Sequence, residues 1–243
     1  MKLKSITGVL LAYHEEAVIK DTITKLSEEL AKITEDWEIV VVGIQTCKDK
    51  TNEIVLQMAN VDSRIKLVLQ KPEERGYGRA FWLGLTAASK QWVFQSDADG
   101  QYDLSGISKL ALCADENVAL VHGYRSKRQD PLERKVFAFC YNMLLKLLFL
   151  IKIKDVDSAF KLIRKSAFSK LQLESKSGFC VAEMVIQFQR NKFKIVQIPA
   201  VHLPRLHGEA LAEKGIENPF GIQLPNFSLT FGTLKEAFLY RFK

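Results

Sequence analysis

Over its first hundred residues the chain alternates short β-rich apolar runs with segments of helical period, and this alternation restricts the fold more than any other feature. Runs at 6–12, 37–42, 65–69 and 92–95 read as strands, while 17–32, 51–59 and 78–88 carry apolar residues three and four apart. In the first helical stretch these are Val18, Ile19, Ile23, Leu26 and Leu30. Strands separated by helices of this length form βαβ units. The expected fold class is therefore α/β, with a mainly parallel sheet and helices on both faces. Such a sheet holds ligands beyond the carboxyl ends of its strands, which directs attention to the loops after Ala12, Val42 and Gln95.

Beyond Asp103 the pattern is less regular. Strands are expected at 118–123, 159–163 and 195–201, helices at 131–151 and 181–190, and an amphipathic segment at 233–242. With 243 residues, 47% of them hydrophobic, the chain suits one large core. Residues 1–208 are expected to form that domain. The looser stretch 209–243 is expected to pack on it as an extension, since four of the six prolines fall between Pro199 and Pro225.

The excess of 35 Lys and Arg over 28 Asp and Glu, a net charge of +7, suits an anionic partner: nucleic acid, anionic lipid or phosphorylated small molecules. A nucleic-acid partner is not expected, because no basic run with interleaved aromatics occurs. Cys47, Cys113, Cys140 and Cys180 lie far apart with no Cys-x-x-Cys pair, which points to reduced thiols and a cytoplasmic location. The first apolar run stops at His14-Glu15-Glu16, so it reads as a strand and not as a signal peptide. No run reaches the roughly 20 apolar residues that cross a bilayer. The nearest, 136–151, is broken by Asn142 and Lys146. A helix there is apolar on almost every side, which fits either insertion at a lipid surface, with Lys146, Lys152 and Lys154 at the headgroups, or packing against core or a second subunit.

The strongest local signal is Ser96-Asp97-Ala98-Asp99-Gly100-Gln101-Tyr102-Asp103, directly after the strand at 92–95. Two carboxylates two residues apart, on a turn that Gly100 lets bend, can direct oxygens to one point, as hard cations such as Mg²⁺ or Mn²⁺ require. Taken alone, Asp-x-Asp is equally a solvated turn. Its neighbours decide. Leu11-Ala12-Tyr13-His14-Glu15, Glu74-Arg75-Gly76-Tyr77-Gly78-Arg79-Ala80, Asp97-Ala98-Asp99-Gly100-Gln101, Gly123-x-Arg125, Asp155-x-x-x-Ala159-Phe160-Lys161-Leu162 and His202-x-Pro204-Arg205-x-x-Gly208 follow one another in one order.

Together these segments resemble the family 2 glycosyltransferases, and within them the polyprenyl-phosphate sugar synthases, from residue 6 to about 208. The resemblance implies a glycosyltransferase A-type, Rossmann-like fold. It implies an inverting transfer of a sugar from a nucleotide-sugar to a polyprenyl phosphate or another membrane-associated acceptor. Asp99 and Gln101 would ligate Mg²⁺ or Mn²⁺, and Arg205 would grip the donor diphosphate. Ala12, Tyr13, Glu15, Gln45, Asp97, Ala98 and His202 would line the nucleotide site. Arg125, Arg128, Arg134 and Lys161 would face the acceptor phosphate. A phosphate is already ionised, whereas a neutral hydroxyl acceptor would need a base, for which Asp155 and Glu183 are the candidates. His14, His122 and His207 read as structural or solvent-facing. Attachment to the cytoplasmic membrane face would be peripheral, and a homo-oligomer is left open.

One departure stands out. The family's Asp-Asp-Gly-Ser after the second strand is replaced by Gly43-Ile44-Gln45-Thr46-Cys47, although Asp49-x-Thr51 follows as in the family. Either Gln45 or Thr46 supplies a neutral hydrogen bond instead, or donor binding is altered. Two readings compete with the first: a nucleotide-sugar-binding protein without turnover, and transfer to a soluble glycan or protein.

Overall fold

Three βαβ repeats built from the amino-terminal alternation set the frame. The chain runs β1 (Ile6–Leu11), α1 (Ile19–Ile33), β2 (Trp37–Ile44), α2 (Thr51–Val61), β3 (Ile65–Gln70), α3 (Tyr77–Ala87) and β4 (Trp92–Asp97). It continues through α4 (Ile107–Leu112), β5 (Val118–Arg125), α5 (Leu132–Phe149), β6 (Phe160–Arg164), α6 (Lys165–Phe168), α7 (Phe179–Arg190), β7 (Lys194–Ala200) and α8 (Phe227–Arg241). The structure is a computed structural model and describes residues 3–126, 132–205 and 227–242.

The seven strands form one sheet in the order β3-β2-β1-β4-β6-β5-β7. β1 pairs in parallel with β2 and β4, and β2 with β3. β6 inserts antiparallel between β4 and β5, placing Lys161 opposite both Gln95 and His122, and β7 closes the far edge parallel to β5. The expected α/β class is therefore observed, with one reversed strand.

Both sheet faces are covered, which explains why β2 is buried at every position. On one face α1 buries Ile19, Ile23, Leu26 and Leu30 against Ile6, Leu10, Ile39 and Val41. Each such side chain contributes about 1.5–3 kcal/mol relative to exposure. On the other face Phe81 and Leu85 of α3 and Phe179, Val185 and Phe188 of α7 cover Val9, Val40, Val93 and Ile163. α3 approaches the sheet at Gly84, where an added Cβ would lie 2.5 Å from Val9 Cγ1 and 3.0 Å from Val42 Cγ2.

α5 is not fully enclosed. Tyr141 and Leu145 enter the core, and Asn142 receives the Val156 N–H at 2.9 Å. Val136, Phe139, Met143, Leu147 and Leu150, spaced three and four apart, lie exposed. Among the described residues no helix is long and apolar enough to cross a membrane. The short helices α4 and α6 are absent from the sequence reading, because six and four residues complete too few turns to show a period.

At the edge opposite the strand ends that face the site, Glu38 fastens three strands. One oxygen accepts from Thr7 Oγ1 at 2.8 Å, Ser89 N–H at 2.7 Å and Ser89 Oγ at 2.8 Å; the other accepts from Lys66 Nζ at 2.7 Å. Burial alone would raise its pKa, but the bonds from Lys66, Ser89 and Thr7 outweigh burial and lower it from 4.5 to about 2. Folding thus favours the ionised form, and the stability it adds is complete above pH 4.5 and lost as the pH falls toward 2. The difference in unfolding free energy between the natural chain and Glu38→Gln, measured by urea titration, should be roughly 3 kcal/mol at neutral pH. It should shrink steadily below pH 4.5.

Candidate active site

The carboxyl ends of β1, β2 and β4 lie level, with Leu11 paired to both Val42 and Asp97. Because β2 and β3 extend to one side of β1 and β4 to the other, the connection order reverses between β1 and β4. Crevices at such reversals are where α/β sheets hold ligands. The crevice floor is fixed by backbone bonds from Ala12 N–H to Val42 O, 2.9 Å, and from Ala98 N–H to Leu11 O, 3.0 Å. Thr22 Oγ1 adds a bond to Ala98 O at 3.3 Å. Ala12 and Ala98 are both buried.

Three carboxylates converge above this floor. Asp97 ends β4, Asp99 follows on the turn, and Glu15 comes from the loop after β1. Gly100 adopts a φ of 71°, which a glycine takes without strain, and the turn closes with Gln101 N–H on Asp99 Oδ1 at 3.0 Å. The segment after β7 runs back along this turn through Asp103 N–H to Val201 O, 3.3 Å, Leu203 N–H to Gln101 O, 2.8 Å, and the Tyr102–His202 bridge. That pairing delivers Arg205. Its Nη2 lies 2.5 Å from Asp99 Oδ2 and its Nη1 3.5 Å from Glu15 Oε1. His202 is buried with its ring edge-on to Tyr102, and the Gln101 amide donates to Leu203 O at 3.4 Å.

The electrostatics follow from this crowding. Burial raises Glu15 to about 7; Arg205 opposes the shift, and Asp99 and Asp97 add to it. Burial likewise raises Asp97 to about 7, reinforced by Asp99 and opposed by Lys161, the Tyr77 hydroxyl at 3.3 Å and Arg125. Arg205 contacts both Asp99 and Glu15, and the three carboxylates offer the oxygen donor type that a hard divalent cation takes.

Tyr13 sits at the crevice mouth, its hydroxyl accepting from Arg75 Nη2 at 2.8 Å. Gln45 is exposed at the end of β2, its backbone N–H on Gln70 O at 3.1 Å. Asp49 turns inward. It accepts from Thr51 Oγ1 at 2.8 Å and from Glu16 N–H at 3.2 Å, while Thr51 Oγ1 accepts the Glu15 N–H at 2.8 Å. The Asp-x-Thr tail therefore clamps the loop that carries Glu15.

Behind Asp97 lies a buried polar stripe. Lys161, flanked by Gln95 and His122 across the strands, is fully buried, and its Nζ makes no direct hydrogen bond among the described residues. Burial lowers Lys161 to about 8, against the pull of Asp155, Asp157 and Asp97. Arg125 binds Asp155 through two bonds, Nε to Oδ2 at 2.7 Å and Nη2 to Oδ1 at 2.8 Å. His122 Nε2 lies 2.6 Å from the Asp155 carbonyl, and burial, helped by Lys161, lowers its pKa to about 3, so the ring is neutral. Glu183 accepts from Glu174 N–H at 3.0 Å and Ser175 N–H at 2.9 Å, which ties it to the loop before α7.

The structure thus brings Ala12, Glu15, Asp97, Ala98, Asp99, Gln101, His202 and Arg205 to one crevice, with Tyr13 at its rim. Arg125, Asp155 and Lys161 form the neighbouring stripe, and Gln45 stands apart on the surface. Arg128 lies outside the described residues, as do Gly208 and His207. Arg134 falls within α5, and its side chain also lies outside what is described. Sequence reading missed Arg75 and Tyr77 as partners of Tyr13 and Asp97. The glycines at 76 and 78 marked their segment, but nothing local in the sequence points to these two partners.

Residues 9–172 match the model of Glycosyl transferase family 2. The chain is 28% identical, over 87% of its length, to dolichyl-phosphate beta-glucosyltransferase ALG5D of Trichomonas vaginalis, and spans 69% of that protein. It is 29% identical, over 60% of its length, to undecaprenyl-phosphate 4-deoxy-4-formamido-L-arabinose transferase of Yersinia enterocolitica, and spans 44% of it. Among solved structures it resembles glucosyl-3-phosphoglycerate synthase of Mycobacterium tuberculosis in complex with Mn²⁺, uridine diphosphate and product. There the TM-score is 0.69 at 20% identity, covering 98% of this chain and 80% of the other. A likeness of that depth shows a shared fold, and the family match over residues 9–172 shows descent: this chain belongs to glycosyl transferase family 2.

Proposed function

We propose that the chain transfers a sugar from a nucleotide-sugar to a polyprenyl phosphate at a membrane surface, with inversion at the anomeric carbon. The observation that carries this reading is Arg205 bridging Asp99 and Glu15 at the β1–β4 crevice, with Asp97 beside Asp99 on the same turn. The names of the relatives, a dolichyl-phosphate and an undecaprenyl-phosphate transferase, support the acceptor class.

Asp99 and Gln101 would hold Mg²⁺ or Mn²⁺, and the residues suit such an ion. Burial, with Asp99 adding to it, raises Glu15 and Asp97 to about 7, and a cation between these carboxylates would favour their ionised forms. When bound, the ion supplies Lewis-acid stabilisation of the departing diphosphate. Arg205 offers a planar pair of donors to the phosphates, exchanging its contact with Asp99 for one with the donor. Tyr13 and Glu15 stand where the base and ribose of a nucleotide would enter.

Acceptor chemistry is argued from what the carboxylates already do. Asp155, a candidate base for a hydroxyl, has both oxygens bound by Arg125, and Glu183 is tied to backbone N–H groups. Neither is free to take a proton. An acceptor that arrives ionised needs none, so orientation and charge stabilisation carry the rate. Lys161 and Arg125 supply positive charge beside Asp97.

The lipid would lie along α5. Val136, Phe139, Met143 and Leu147 of α5, with Leu150 just beyond it, are exposed, as are Phe238 and Leu239 of α8, which packs on α5 through Phe149 and Tyr240 at 6.0 Å. Lys146, Lys152 and Lys154 flank it, an arrangement suited to an anionic surface. Residues 209–243 are proposed to belong to this same domain.

Two outcomes are expected. With Mn²⁺ present, one donor from a nucleotide-sugar panel should raise the melting temperature, and the increment should vanish in Asp99→Ala; Arg205→Ala should lower kcat by about 10²–10³-fold. An unchanged increment in Asp99→Ala would remove the proposed metal ligand, and binding without nucleoside diphosphate release on any lipid acceptor would favour the non-catalytic reading. In vesicle flotation the chain should associate with anionic vesicles, and the double variant Phe139→Asp, Leu147→Asp should stay in the unbound fraction with its melting temperature unaltered. Equal flotation of the two proteins would dissociate α5 from the lipid.

A further inference from the structure

The loops after β1 and β2 also carry a group of side chains that the transfer reaction leaves unused. His14, Cys47 and Asp49 each offer one ligand atom within 4.8 Å of the other two, and all three are partly accessible. Cys47 Sγ donates to Asp49 Oδ1 at 2.9 Å. Asp49 is held from behind by Thr51 Oγ1 at 2.8 Å and Glu16 N–H at 3.2 Å, outer contacts of the sort that orient a ligating carboxylate. His14 adopts a φ of 59°, a left-handed conformation uncommon for a residue with a Cβ. Its ring lies edge-on to Tyr13 at 4.3 Å, and its imidazole nitrogens make no hydrogen bond among the described residues. Asp49 also accepts the Thr51 N–H at 3.2 Å, and the Cys47 sulfur accepts the His14 backbone N–H. These contacts engage the backbone of His14, while its imidazole separately brings a ligand nitrogen within 4.8 Å of Cys47 Sγ and an Asp49 oxygen.

We propose that His14, Cys47 and Asp49 form a second metal site, for a divalent cation of the zinc class, with the fourth position open to water. Sulfur, nitrogen and a single oxygen form the donor set that zinc prefers, whereas Mg²⁺ and Mn²⁺ favour the all-oxygen surroundings of Asp99. On binding, the Cys47 thiol releases its proton to solvent and its sulfur turns from Asp49 to the cation. The Asp49 Oδ1, still accepting the Thr51 N–H at 3.2 Å, becomes the third ligand. The site joins the loop that carries Tyr13 and Glu15 to the loop that carries Gln45, so an ion there fixes two loops at the crevice mouth. The inference stands apart from the proposed transfer reaction, since it concerns only what these three side chains bind.

Co²⁺ titrated into the metal-free full-length protein is the direct probe. A thiolate-to-cobalt charge-transfer band in the near ultraviolet, with intense visible bands of a four-coordinate ion, should appear stoichiometrically and be displaced by Zn²⁺ but not by Mn²⁺. Cys47→Ser and His14→Asn should each remove or strongly reduce the band and weaken Zn²⁺ binding by more than about 10-fold. Asp99→Asn should leave the band unchanged. Absence of the band in the natural chain, or its persistence in Cys47→Ser through Cys113, Cys140 or Cys180, overturns the proposal. Circular dichroism checks that each variant folds. Should Cys47→Ser not fold, His14→Asn decides in the same way, and an undiminished band there overturns the site.

Discussion

Buried carboxylates that face one another are unfavourable unless a cation stands between them, and the crevice between β1 and β4 is organised around that constraint. Asp97 and Asp99 arrive together on one turn, Glu15 from another loop, and a single guanidinium reaches both Asp99 and Glu15. Arg205 gets there only because residues 201–203 pair with 101–103, so the far edge of the sheet, through β7, controls the charge balance at its centre. A diphosphate adds negative charge and a divalent ion adds positive charge. Under the proposed reading, their joint arrival would let Arg205 exchange a carboxylate for a phosphate without leaving either buried charge unpaired.

The same logic would apply to the proposed acceptor. The excursion that contains α5 leaves the sheet at Arg125 and returns at Asp155, and the bidentate pair between those residues closes it. Both partners are largely withdrawn from water, so the pair resists separation more than a surface ion pair would. The exposed apolar stripe of α5 lies on the excursion that this pair closes. Under the proposed reading, a lipid on that stripe would bring its phosphate toward Arg125, with Lys161 adding positive charge from the interior.

Much of this frame was legible in the residues themselves. The strands 6–12, 37–42, 65–69 and 92–95 are near-continuous apolar runs because both sheet faces are covered, and Asp97-Ala98-Asp99 stood out because it ends one of them. Other features carry no local signal. Phe160–Arg164 is buried at four successive positions, and its antiparallel direction depends on where α5 returns the chain. The resemblance has Lys161 face an acceptor phosphate, and the register places it between Gln95 and His122 in the interior. Asp155 offered a carboxylate in sequence, but only the fold shows that Arg125 occupies it. Long-range partners such as Arg205 with Asp99 lie more than a hundred positions apart, beyond the reach of any periodicity.

The missing acidic pair after β2 acquires a physical meaning in this setting. A carboxylate in the place of Ile44 or Gln45 would stand at the end of a buried strand, beside the loops that carry Glu15, Asp97 and Asp99. Without it the crevice carries one repulsive term fewer, and the loop geometry it would have helped to fix falls to Asp49. That residue braces the loop through Thr51 and Glu16, so the backbone positions of Tyr13 and Glu15 depend on a carboxylate that never faces the crevice. Gln45, neutral and exposed just beyond β2, stands apart from that crevice, so the loop that carries Tyr13 and Glu15 is braced from the β2 side by Asp49 and not by a group at the strand end.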